Sequence, residues 1–172
     1  MLQKKSLYAI LIVSIALFAV LSFWFFNGKT TENKNAAPQV SFTNLKGEKF
    51  AMDSLRGKVV LVNFWATSCT TCVAEMPELI KTYERFHAQG LEFFAVAMSY
   101  DPPNYVLNFS ETRALPFHVA LDVDGNLAKQ FGDVKMTPTT FLIDKQGKIL
   151  KRYLGMPSFE EMNALIAQQL KS

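Results

Sequence analysis

The chain has 172 residues, of which 49% are hydrophobic and 13% aromatic, and a formal charge of +3. That length holds one ordinary domain with a tail, and that composition excludes a disordered or collagen-like chain. Three of the 18 basic residues, Lys4, Lys5 and Lys29, precede Thr31, so the rest balance the 15 acidic residues and offer no basic patch for a nucleic acid.

Residues 1–6 carry Lys4 and Lys5 and are expected on the cytoplasmic side. Residues 7–26, LYAILIVSIALFAVLSFWFF, are uncharged and mostly apolar. Twenty helical residues at about 1.5 Å each match a hydrocarbon core of about 30 Å. The run ends in bulky Phe25 and Phe26, and the small residues Ala36 and Ala37 come only later. This favours an uncleaved signal-anchor over a cleaved signal peptide. Either way, the remainder of the chain is expected outside the cytoplasm, in the periplasm or its extracytoplasmic equivalent. Residues 27–39 are polar, with Gly28 and Pro38, and are expected to form a flexible linker to a domain over 40–172.

Residues 40–43 and 48–51 flank Asn44-Leu45-Lys46-Gly47, a hairpin signal. Residues 58–65, KVVLVNFW, form a near-continuous apolar run, the pattern of a central strand covered on both faces. Residues 69–87 repeat apolar side chains at helical spacing, with Pro77 expected to kink the helix and Gly90 to stop it. Further on, 91–98 and 117–121 are expected as strands, 105–113 as a short helix and 127–131 as a helical turn. Residues 139–144 and 148–153 pair around Lys145-Gln146-Gly147, and Ser158 and Glu161 have the spacing of a capping box for a last helix. The order predicts an α/β fold with a mixed central sheet flanked by helices.

Only two cysteines occur, Cys69 and Cys72, in Cys69-Thr70-Thr71-Cys72, where the buried strand gives way to a helix. Thiol chemistry favours that place, because the unpaired N–H groups of a helix start stabilise a thiolate. Cys69, nearer the N-terminus, is expected to attack, and Cys72, a turn inward, to resolve the mixed disulfide. A zinc half-site lacks two further ligands, since only His87 and His118 remain and they are widely spaced. A purely structural bridge closing so small a loop would gain little.

The stretch from Val62 through Trp65, Cys69 and Cys72 to Glu75-Met76-Pro77 resembles the active-site segment of the TlpA/ResA-like branch of the thioredoxin superfamily. So do Leu55-Arg56-Gly57-Lys58 upstream and Thr137-Pro138-Thr139-Thr140-Phe141 downstream. The resemblance implies a thioredoxin-like fold with an N-terminal β-hairpin extension and an inserted strand and helix, which accounts for the separation of 66 positions from Cys72 to Pro138. It implies a cis peptide before Pro138, with Thr137 offering its backbone to an extended substrate. It also implies that the carboxylate of Glu75 moves the proton of the resolving thiol, and burial would raise its pKa for that work. The plain alternative for Glu75 is a solvated helix position. Trp65 is expected beside the motif in contact with substrate, with simple core filling the alternative.

Two positions depart from the family: Ser68 stands where it usually has Trp, and Thr71 where it commonly has Pro. Both shape the exposed motif and so its potential and partners. Asn63 occupies the strand position where plain thioredoxins carry a buried Asp, which leaves proton transfer to Glu75.

The expected function is a membrane-anchored protein-disulfide reductase with no cofactor or metal, fed by a membrane-embedded electron donor and acting as a monomer. Apocytochrome c is one substrate class that the resemblance implies. With no charged neighbour in Thr70-Thr71, a mildly reducing centre is expected. The alternative is a copper-handling or oxidase-assembly thiol protein, which would need His118 beside the thiols. Peroxiredoxin chemistry would place Pro and Thr where Val62 and Ala66 stand.

Overall fold

A computed structural model describes residues 35–172 and, before them, Phe18 alone. The expected membrane span and most of the linker therefore lie outside the described residues. Among the described residues no helix is long and apolar enough to cross a membrane.

The domain opens with a hairpin, β1 (Ser41–Thr43) and β2 (Lys49–Ala51), paired antiparallel as a separate two-stranded sheet. Its turn is set by Asn44, whose side-chain Oδ1 accepts from the backbone N–H groups of Lys46 and Glu48 at 3.0 Å each. Gly47 completes it at φ 81°, a left-handed conformation that costs glycine nothing.

The central sheet has the order β5-β4-β3-β6-β7. Its members are β3 (Val59–Trp65), β4 (Leu91–Ala97), β5 (His118–Leu121), β6 (Thr139–Ile143) and β7 (Ile149–Leu154). β3, β4 and β5 run parallel, β6 pairs antiparallel with β3, and β7 pairs antiparallel with β6. The helices are α1 (Thr70–Phe86), α2 (Pro103–Thr112), α3 (Asn126–Gln130) and α4 (Phe159–Lys171). α2, β5 and α3 all lie between β4 and β6, on the path from Cys72 to Pro138.

All seven residues of β3 are buried, because the sheet is covered on both faces. Val59, Leu61 and Trp65 point into one apolar cluster with Leu79 and Phe86 of α1 and Met162 and Ile166 of α4. Val60, Val62 and Phe64 point into the other, with Phe42, Phe94, Phe131 and Phe141. Cys72 belongs to the first cluster. Leu79 is wholly buried there. Leu79→Ala should lower unfolding free energy by about 3 kcal/mol in urea titration of the oxidised protein, with the slope unchanged.

Residues 35–39, expected at the end of the linker, instead belong to the folded unit that starts at Asn35. Ala36 bridges Lys148, Ala37 N–H donates to the Gly147 carbonyl at 2.9 Å, and Ile149 N–H donates to the Asn35 carbonyl at 2.7 Å. Ala37 is buried. The bonds are between backbones, so polar side chains do not prevent them. Pro77 sits inside α1, on the exposed side of the helix.

Candidate active site

β3 ends at Trp65, and the Met98 N–H donates to the Trp65 carbonyl at 3.0 Å, fixing the strand end against the β4 exit. A tight turn comes next, closed by Cys69 N–H donating to the Ala66 carbonyl at 3.1 Å. Cys69 is the N-cap of α1, with extended backbone and an Sγ that accepts the Cys72 N–H at 3.2 Å. Cys69 and Cys72 are joined in a disulfide with their Cα atoms 5.2 Å apart. Cys69 is half-buried, whereas Cys72 is fully buried. The first turn of α1 carries no acidic residue, so the helix-start N–H groups act on sulfur without competition.

Beneath Cys72 lies a short polar row. Glu75, one turn on along the same helix, is 1% exposed. Asn63 of β3 and Thr140 of β6 are direct register partners. The Asn63 Nδ2 donates to Glu75 Oε1 at 3.1 Å and to Thr140 Oγ1 at 2.8 Å. Glu75 Oε2 and Asn63 Oδ1 have no partner among the described residues. Burial strips water from the charged carboxylate and pushes the Glu75 pKa up to about 7, and the Asn63 bond pulls it back only in part. A group titrating there can hold or release a proton at neutral pH.

The Thr137–Pro138 peptide is cis. Pro138 is buried and its carbonyl accepts Gly155 N–H at 2.8 Å, while Thr137 is half-buried. Thr139, the next residue, pairs with Phe64 of β3, so Thr137 and Pro138 stand at the sheet end from which the cysteine loop leaves.

Trp65, expected to touch substrate, does not reach the surface. It is wholly buried, with its ring 5.2 Å from that of Phe109. Strand alternation is the reason: Trp65 shares the α1-facing side with Leu61 and Asn63, so it fills the core.

His118 is on the opposite side of the sheet from Cys72. It stacks on Phe94 and packs on Phe50, with Nδ1 3.3 Å from Asn44 Nδ2 and Nε2 3.6 Å from Glu92 Oε2. The copper alternative needed it beside the thiols. His87 is exposed at the end of α1.

Three residues near the motif carry no local sequence signal for the contacts they make. Asp101 and Thr67 meet through two hydrogen bonds, and Tyr100 meets Thr137. Asp101 reads in sequence only as a break before Pro102-Pro103, and no spacing rule joins positions so far apart.

Residues 32–166 match the family described as Redoxin. The chain belongs to the Redoxin family. It is 31% identical over 167 residues to the thiol-disulfide oxidoreductase ResA of Bacillus thuringiensis subsp. konkukian, covering 94% of this chain and 95% of that one. It is 34% identical over 156 residues to ResA of Geobacillus kaustophilus, covering 90% and 88%. A crystal structure of a thiol:disulfide interchange protein of the thioredoxin family from Chlorobium tepidum superposes with a TM-score of 0.72 at 26% identity, over 79% of this chain and 96% of that one. This Redoxin member is thus a thioredoxin-like α/β protein and a thiol–disulfide oxidoreductase, and thiol–disulfide exchange with protein substrates is its activity.

Proposed function

We propose that this chain is a membrane-tethered reductant of protein disulfides, working outside the cytoplasm through Cys69 and Cys72. The observation that carries the reading is the asymmetry of the pair: Cys69 half-open at a helix start, Cys72 buried one turn below beside a carboxyl that titrates near neutrality.

In the reduced form the Cys69 thiolate attacks one sulfur of a substrate disulfide. A mixed disulfide forms, and the other substrate sulfur leaves as a thiolate. The Glu75 carboxylate takes the proton of Cys72, whose thiolate then attacks Cys69 Sγ. The Cys69–Cys72 disulfide forms, the second substrate thiolate leaves, and two electrons have passed to the substrate. Thr137 offers its backbone to the substrate as an added strand beside Pro138. A membrane-embedded dithiol donor then returns the pair to the reduced state.

The apolar run 7–26 preceded by Lys4 and Lys5 supports the tether and its orientation. The relatives named ResA support exchange chemistry, and apocytochrome c is the substrate class we favour. Reductive direction is tested by equilibrating the full-length protein in graded thiol–disulfide buffers. A potential near about −270 mV is expected, and one near about −120 mV would make the protein a donor of disulfides and sink the reductive reading.

A further inference from the structure

The loop after β4 touches both walls of the site through two consecutive residues. Asp101 is 4% exposed, and its Oδ2 and Oδ1 accept the Thr67 N–H and the Thr67 hydroxyl, each at 2.6 Å. Both oxygens act as acceptors toward a single residue, the strong charge-assisted arrangement of a carboxylate. Thr67 lies in the turn that delivers Cys69. The neighbouring Tyr100 places its hydroxyl 3.3 Å from Thr137 Oγ1, on the cis-proline loop. The segment is itself anchored, because Asp101 N–H donates to the Met98 carbonyl at 2.9 Å and Met98 N–H to the Trp65 carbonyl at 3.0 Å.

We propose that Tyr100-Asp101 is a clasp in which Asp101 is the positioning residue that sets Cys69 relative to Thr137, so that a strand resting at Thr137 presents its sulfur to Cys69 in line. The inference rests on Cys69 as the attacking sulfur and Thr137 as the substrate's docking strand. Sulfur exchange needs nucleophile, central sulfur and leaving sulfur nearly collinear. The cysteine turn and the cis-proline loop come from distant parts of the chain, and without a tie their spacing could drift by the fraction of an ångström that spoils such a line. Tyr100 is exposed and its single bond is long, so the weight of the clasp falls on Asp101. Asp122 supplies a matched contrast. It is similarly buried and also accepts two hydrogen bonds, here both from backbone N–H groups, of Leu127 at 2.9 Å and Ala128 at 2.8 Å, but it ties only α3.

The test compares two reactions of the full-length protein. Reduction of insulin needs both Cys69 and strand docking, whereas reaction with a small aromatic disulfide needs Cys69 alone. Asp101→Asn can keep only one of the two acceptor bonds, and Thr67→Val keeps only the backbone one. Both are expected to lower kcat/KM for insulin about tenfold while the small-disulfide rate stays within about twofold. Thr67→Ser, which retains both bonds, should recover most of the insulin rate. Asp122→Asn should leave the ratio of the two rates unchanged. If Asp101→Asn fails to fold, Thr67→Val carries the comparison alone. Unaltered insulin reduction, equal losses in both reactions, or the same ratio change in Asp122→Asn would overturn the clasp. A wild-type protein that reduces neither disulfide would instead overturn the exchange chemistry beneath it, and the clasp with it.

Discussion

Replacing Cys72 with serine is expected to stall the reaction at its midpoint. Cys69 keeps its place as the N-cap of α1, half-open to a partner, and still forms the mixed disulfide. No second thiolate then exists to break it, so covalent adducts accumulate. They should appear on non-reducing gels as bands of added mass that collapse with reductant, and mass spectrometry would name the trapped protein. Cys69→Ser should give no adducts and lower protein-disulfide reduction by at least about a thousandfold, because the surviving thiol is fully buried. Cys72→Ala controls for the hydroxyl that serine adds to an apolar pocket and should trap equally well. Adducts formed by Cys69→Ser and not by Cys72→Ser would exchange the two roles. The contrast between the two variants depends only on which sulfur solvent reaches, and the fold decides that by placing one at the helix start and the other a turn inside.

How far the sequence discloses this site depends on the range of each interaction. The hairpin is legible because Asn44 and Gly47 act within four residues of each other. The buried strand is legible because β-branched and aromatic residues fill both its faces. The position of Cys69 at a helix start follows from the change of period after Trp65. That same two-sided burial conceals the direction of Trp65: apolar residues fill both faces of the strand, and only the packing of α1, through the Asn63–Glu75 bond and the cluster of Leu61, Trp65 and Leu79, shows which face is turned to it. Residues 35–37 are hidden for another reason, since their bonds to Gly147 and Ile149 use backbone groups that every sequence possesses. The cis bond at Pro138 follows only from resemblance, as most Xaa–Pro bonds are trans. The Asp101–Thr67 contact spans a helix and a strand, and an aspartate before two prolines carries the signature of a turn, not of a ligand for a distant threonine.

Glu75→Gln is expected to make the protein more stable and less active, with both effects growing as pH rises. The Glu75 pKa is raised from 4.5 to about 7, chiefly because burial disfavours the charge. Between those values the folded chain retains a proton that the unfolded chain has released, so folding is proton-linked with the folded state holding more. Stability must then fall as pH rises through that window, by about 3 kcal/mol in all, and level off above it. Glutamine keeps the size and can still meet Asn63, but it never ionises. In urea titrations of the oxidised proteins, where the cysteines do not titrate, the two should be alike near pH 4 and the variant should gain through neutrality. A parallel pH dependence in both would mean that the carboxylate of Glu75 ionises in the folded chain as it does in water. The kinetics should move the other way. Without a carboxylate to take the Cys72 proton, the resolving step should slow about a hundredfold, and an inflection near neutral pH should vanish from its rate profile. A buried carboxyl that destabilises the fold at working pH, where glutamine would not, is retained for what its charge does. Here the group lies one turn beyond the resolving sulfur, so the free energy lost on ionising Glu75 is the same quantity that lets it accept a thiol proton near neutrality.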